Sequence, residues 1–149
     1  MPRSPLNAQA DTPFAAVRRC AHVLVYGTLK PGERNHRLIA DAVHHGAART
    51  APGFRLLHGD IPAVDRGGDA RIEGERVAVT GAQLARMDQL ESHPDWYRRE
   101  IVQLADGGQA WIYLHPIPPG VPRYRITDRG VARWTGGRRG ARRPAPGSV

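Results

Sequence analysis

Glu91 is the residue whose position most invites chemistry. It stands seven residues after Leu84 and four after Met87, and at about 100° per residue that spacing puts it on the apolar stripe of Leu84, Met87 and Leu90. A carboxylate on an inward face is costly to ionise unless paired or hydrogen-bonded, so its pKa climbs towards neutrality. A general acid and base working near pH 7 needs that property. Two other outcomes fit the same pattern equally: a structural ion pair with Arg98 or Arg99, or a frayed last turn that exposes Glu91. Asp88 lies nearer the edge of the stripe and reaches water more easily.

The second candidate is the run VLVYGTLKPGERNH, Val23 to His36. Gly27 and Gly32 are spaced as in a phosphate loop, but that motif continues with Lys and Ser or Thr, to reach the phosphates and hold magnesium. Here Glu33 and Arg34 follow, and an acid there repels phosphate, so nucleotide binding by this motif is set aside. What remains is a strand that ends abruptly and leaves the amides of Gly27, Thr28 and Leu29 to a small anion or a carbonyl oxygen. The competing reading is a plain tight turn. The seven histidines, including the pair His44-His45, have no partners at a spacing that closes a metal site, and are read as surface or capping residues. Cys20 is the only cysteine, so neither an internal disulfide nor a cysteine-built zinc site is expected.

These candidates need elements to position them. His22–Tyr26 is a short β-rich run with little alternation, which suits a central strand covered on both faces. After the loop, Asn35 reads as an N-cap, and Leu38, Ile39, Ala42 and Val43 fall at helical spacing, predicting a helix of up to three turns that closes at Gly46. Short strands are expected at Gly53–Leu57, Ile61–Val64 and Arg71–Val79. Thr80-Gly81-Ala82-Gln83 has the form of a capping box, predicting a helix from about Gly81 to Glu91 or Ser92, stopped by Pro94. Tyr97–Leu104 and Gln109–His115 flank Asp106-Gly107-Gly108, a hairpin signal. Beyond the proline-rich stretch at 116–122, only a short closing element near Val131 and Trp134 is expected. Many short strands, few helices and one antiparallel hairpin give an α+β fold, a small closed or half-closed mixed β-barrel with short helices outside.

A chain of 149 residues with 40% hydrophobic content supports one core. The expected organisation is a loose arm at 1–20, one domain at 21–128 and an arginine-rich, disordered tail at 129–149. Of the formal charge of +8, six arginines after Asp128 account for all but +2, with no acid to offset them. The basicity therefore belongs to the tail, whose expected role is that of a solvated segment that touches RNA at most weakly. No apolar run approaches the ~20 residues of a membrane span and no secretory signal opens the sequence, so a soluble, cytoplasmic protein is expected.

Taken together, VYGTLKPGERNHRLI (Val25–Ile39), LARMDQLESHPDWYRREIV (Leu84–Val102) and AWIYLH (Ala110–His115) resemble, in order and spacing, the γ-glutamylcyclotransferase superfamily. The Tyr-Gly-Thr-Leu-Lys and Asn-His-Arg elements look closer to its γ-glutamylamine cyclotransferase and antibiotic-deprotecting branch than to its glutathione-degrading branch. The resemblance implies a small mixed β-barrel that converts a γ-glutamyl amine or peptide to 5-oxoproline and a free amine, without metal or cofactor. It implies that Tyr26, Gly27, Thr28 and Leu29 hold the γ-glutamyl group, that Glu91 is the acid–base residue, and that Tyr97 and Arg99 shape the pocket. Ser92 departs from the family pattern, which commonly has glycine after the glutamate; its hydroxyl could bond the carboxylate and lower its pKa. Two alternatives accompany this reading: a non-catalytic module of the same fold that binds a small ligand, and an RNA-associated protein acting through its basic tail. The leaving amine and the oligomeric state are not specified by the sequence.

Overall fold

Four residues, His22–Val25, form β1, and their unalternating apolar character has the expected cause: the strand is covered on both sides. Val23 and Val25 face one core with Leu84, Met87 and Trp111, while Leu24 faces a second with Phe54, Leu56, Ile72 and Ile112. The structure is a computed structural model and describes residues 11–136. In it β1 lies between β4 (Ala63–Ala78), antiparallel, and β6 (Gln109–Leu114), parallel. The strand order is β5-β6-β1-β4-β3-β7, with β2 and β8 also pairing β4. Here β2 is Val43–Arg49, β3 is Phe54–Leu57, β5 is Arg98–Gln103, β7 is Ile126–Thr127 and β8 is Val131–Ala132. A bridge between Thr50 and Leu104 brings the end of β5 to the end of β2, which curls the sheet into a partial barrel. The architecture is α+β, as expected.

Among the described residues, two α-helices cover the outside. The longer, α2 (Gly81–Glu91), starts on the anticipated capping box: the Gln83 amide donates to Thr80 Oγ1 at 3.1 Å, and the Thr80 amide donates to Gln83 Oε1 at 2.9 Å. It ends at Ser92 in the left-handed conformation, φ 52°. The shorter, α1 (Pro13–Arg19), occupies part of the expected loose arm; Ala16 is buried in the first core and Phe14 packs on Gly81. No helix among the described residues is long and apolar enough to cross a membrane.

Three further expectations change. The helix expected after Asn35 is a single 3-10 turn, His36–Ile39, followed by β2. Of its proposed apolar face only Ile39 and Ala42 are buried, while Val43 is exposed. A helix that short is marginal without a packed face, and the long edge of β4 offers a run of ladder pairs from Val43↔Ala78 to Arg49↔Glu73 instead. Gly46, φ 95°, marks a bulge in that ladder rather than a helix end. The strands expected at 61–64 and 71–79 belong to one bent β4, whose register against β3 jumps from Asp65 to Ala70 across Gly67-Gly68. Lastly, the closing element expected near Val131 and Trp134 forms as β8, with Trp134 buried in the second core, so ordered structure continues past the boundary expected at residue 128. The rest of the arginine-rich tail, from residue 137, lies outside the described residues.

Candidate active site

Where β1 ends, the chain turns under Pro62 and opens a small cleft lined by Tyr26, Gly27, Thr28, Leu29, Pro62, Glu91, Tyr97 and Tyr113 among others. Six of the seven residues singled out from sequence therefore converge. They come from three places: the β1 exit loop, the last turn of α2 and the entry to β5.

Gly27 is fixed by crowding, since a Cβ there would lie 2.8 Å from Pro62 Cγ. The loop folds back on itself through Lys30 N–H to Gly27 C=O at 3.0 Å and Asn35 N–H to Thr28 C=O at 2.9 Å. Tyr26 and Tyr97 frame the cleft with their rings, but their hydroxyl protons are committed. Tyr26 donates to the Tyr113 carbonyl and Tyr97 to the Pro62 carbonyl, each at 2.6 Å. Burial pushes the pKa of all three cleft tyrosines upward. They stay protonated at neutral pH.

Glu91 differs from them. Its carboxyl is half-buried at the end of α2, and burial, reinforced by the charge of Asp88, raises its pKa to about 7. No cation pairs with it among the described residues. Arg99, the expected alternative partner, is occupied elsewhere: its Nε and Nη2 grip both oxygens of Asp88 at 2.9 and 2.8 Å, and Nη2 also donates to the Asp11 carbonyl at 2.7 Å. The Arg99 side chain is fully buried against the Trp111 ring and does not line the cleft. Of the three outcomes open for Glu91 in the sequence, the ion pair with Arg99 is absent. No hydrogen bond joins the Ser92 hydroxyl to Glu91; the left-handed backbone at Ser92 accounts for a preference for glycine there.

Sequence reasoning missed Tyr113 and Pro62. Tyr113 donates to Asp88 Oδ1 at 2.7 Å, linking the cleft wall to the Arg99 ion pair, and its place on a strand parallel to β1 could not be read without the sheet order. Pro62 comes from a loop whose approach to Gly27 leaves no local signal.

A model of the family described as gamma-glutamyl cyclotransferase, AIG2-like, matches residues 23–131. The chain belongs to that family. Relatives of this family member include a Drosophila melanogaster protein provisionally named a gamma-glutamylcyclotransferase, 37% identical over 66% of this chain and 71% of the other. The human protein named gamma-glutamylaminecyclotransferase is 38% identical over 56% of this chain and 61% of its own length. Among solved structures, an AIG2-like protein from Mus musculus superimposes with a TM-score of 0.62 at 28% identity, covering 68% of this chain and 84% of that one.

Proposed function

We propose that this family member is a γ-glutamylcyclotransferase that cyclises the γ-glutamyl group of a γ-glutamyl amine or peptide to 5-oxoproline, with Glu91 carrying the protons. The observation that carries the proposal is the state of Glu91: an unpaired carboxyl with its pKa raised to about 7, in one cleft with the β1 exit loop. Among the described residues, every other ionisable side chain that lines that cleft is a tyrosine held protonated. The names of the relatives agree with the reaction and with an amine as leaving group.

The substrate's α-ammonium gives a proton to the Glu91 carboxylate, and the freed amine attacks the γ-carbonyl carbon. A bond from the α-nitrogen to that carbon forms, and negative charge collects on the carbonyl oxygen. The tetrahedral centre collapses with cleavage of the γ-carbon to amide-nitrogen bond. The Glu91 acid protonates that nitrogen as it leaves, and the regenerated carboxylate then takes the second proton, shed by the ring nitrogen, and passes it to the released amine. No water is consumed, and the four nitrogen-bound protons of the substrate are all found in the lactam and the released ammonium. Because nucleophile and electrophile share one molecule, the site's main task is to freeze the folded conformer. Backbone amides of Gly27, Thr28 and Leu29 suit the oxygen on which charge develops or the α-carboxylate.

The test is 5-oxoproline release, read by mass spectrometry across γ-glutamyl amines, γ-glutamyl dipeptides and glutathione. Wild type is expected to form product from at least one of them, and Glu91→Gln to lose on the order of 10²–10⁴-fold in rate. Near-normal turnover in folded Glu91→Gln overturns the mechanism. Binding of the substrate by wild type without product overturns the activity.

A further inference from the structure

Asn35 sits where a helix N-cap is expected, yet its side chain caps nothing. It turns back instead to the cleft loop, where Nδ2 donates to Thr28 Oγ1 at 2.9 Å while the backbone amide donates to the Thr28 carbonyl, also at 2.9 Å. The next residue repeats the pattern: His36 Nδ1 lies 3.0 Å from the Leu29 carbonyl. A carbonyl can only accept, so Nδ1 carries the proton. Two consecutive residues thus hold two consecutive cleft residues through three bonds, all running towards the loop.

The direction of the side-chain bond matters. A threonine hydroxyl has one proton to donate and two lone pairs to accept with. Since Asn35 Nδ2 brings a proton of its own, the Thr28 hydroxyl must accept here and its own proton stays unspent. No described residue accepts it. Thr28 lines the same cleft as Glu91.

We infer that Asn35 is a positioning residue that holds the Thr28 hydroxyl as a hydrogen-bond donor to an oxygen of the γ-glutamyl substrate. This rests on the proposed function and adds a side-chain donor to the backbone amides of the loop. Asn35 never touches substrate in this scheme; it acts through Thr28, as an outer hydrogen bond fixes an inner one.

The decisive substitution is Asn35→Asp, which keeps the size of the side chain but replaces the donor by an acceptor. The aspartate takes the Thr28 proton, so the loop keeps its bond and the substrate loses its donor. With the substrate that wild type turns over best, kcat/KM is expected to fall on the order of 10–100-fold, the size of one hydrogen bond to a charged or developing-charge oxygen. Thr28→Val is expected to fall by a similar factor and Thr28→Ser to restore most of the activity. In the Thr28→Val background Asn35→Asp is expected to add nothing, because the hydroxyl through which it acts is gone. Asn35→Ala, which withdraws the donor without supplying an acceptor, is expected to lose less than Asn35→Asp. Thermal melts of each variant separate these losses from unfolding.

Retained activity in folded Asn35→Asp overturns the inference, as does an equal loss from Asn35→Asp with and without the Thr28 hydroxyl. Both results leave the proposed cyclotransferase standing, since wild type still forms 5-oxoproline. No product from wild type overturns the two together.

Discussion

A carboxyl that titrates near neutrality leaves two marks, one on rate and one on stability, and at Glu91 they have opposite signs. In its proposed role as base it must be ionised while the substrate amine is still an ammonium, so kcat/KM is expected to rise through an acid limb centred near 7, where burial has moved the Glu91 pKa. A pH–rate profile with that limb at the ordinary carboxylate value of about 4.5 would exclude Glu91 as the titrating group. For stability, the folded protein holds the Glu91 proton more tightly than the unfolded chain does. The native state is therefore favoured below about pH 4.5, loses ground as pH rises through about 7, and is penalised fully above it. Glu91→Gln removes that penalty, so wild type should fall behind the variant by on the order of 1–3 kcal/mol between pH 5 and 8, after discounting for the exposed side of the carboxyl. Denaturant melts at the two pH values check it. Glu91 was legible because helical periodicity reports which face a residue takes. Arg99 was not, because whether an arginine meets substrate or Asp88 depends on Asp11 and Tyr113, which lie far away in sequence.

At the level of elements, the cleft exists because β1 stops where the 61–62 loop crosses over it. Gly27 marks the crossing. A methyl group added there would stand 2.8 Å from Pro62 Cγ and 3.3 Å from Cδ, and a proline ring cannot swing aside as a long side chain does. The Pro62 carbonyl also anchors the Tyr97 hydroxyl, so moving the ring moves a cleft wall. Gly27→Ala is therefore expected to destabilise by about 1–3 kcal/mol and to raise KM more than it lowers kcat, since the walls shift while Glu91 on α2 stays in place. Unchanged KM would mean that the loop and Pro62 adjust independently of the site. The strand, the loop and α2 could all be read from sequence, because each rests on local chemistry: a β-rich run, a glycine at its end, and a hydroxyl three residues before Gln83. The segment after Asn35 misled for the same reason. Its apolar spacing and a glycine stop satisfy a helix locally, but the available edge of β4 and the bonds from Asn35 to Thr28 decide otherwise.

The whole molecule ties the N-terminal segment to the chemistry. Asp11, just before α1, lies 3.5 Å from Arg99 Nη1 through one carboxylate oxygen and 2.9 Å from His93 Nε2 through the other, and its carbonyl accepts from Arg99 Nη2. Arg99 in turn braces Asp88, three residues before Glu91 on α2. With Ala16 of α1 buried in the first core and Phe14 against Gly81, this segment clamps both ends of α2. A buried guanidinium that loses one of its acidic partners typically costs 3–5 kcal/mol, and loss of α1 also uncovers apolar surface. A chain shortened to begin at Asp11 is the reference, since it keeps every contact just described. One that begins at Ala21 should melt at least 10 °C lower, by the usual conversion of several kcal/mol for a domain of this size, and lose most of its kcat as α2 loosens. If the shorter chain instead kept full activity with only a lower melting temperature, the Asp11–Arg99–Asp88 chain would be a staple for the fold with no hold on Glu91. The two truncations, melted and assayed side by side, separate these cases because only residues 11–20 differ between them.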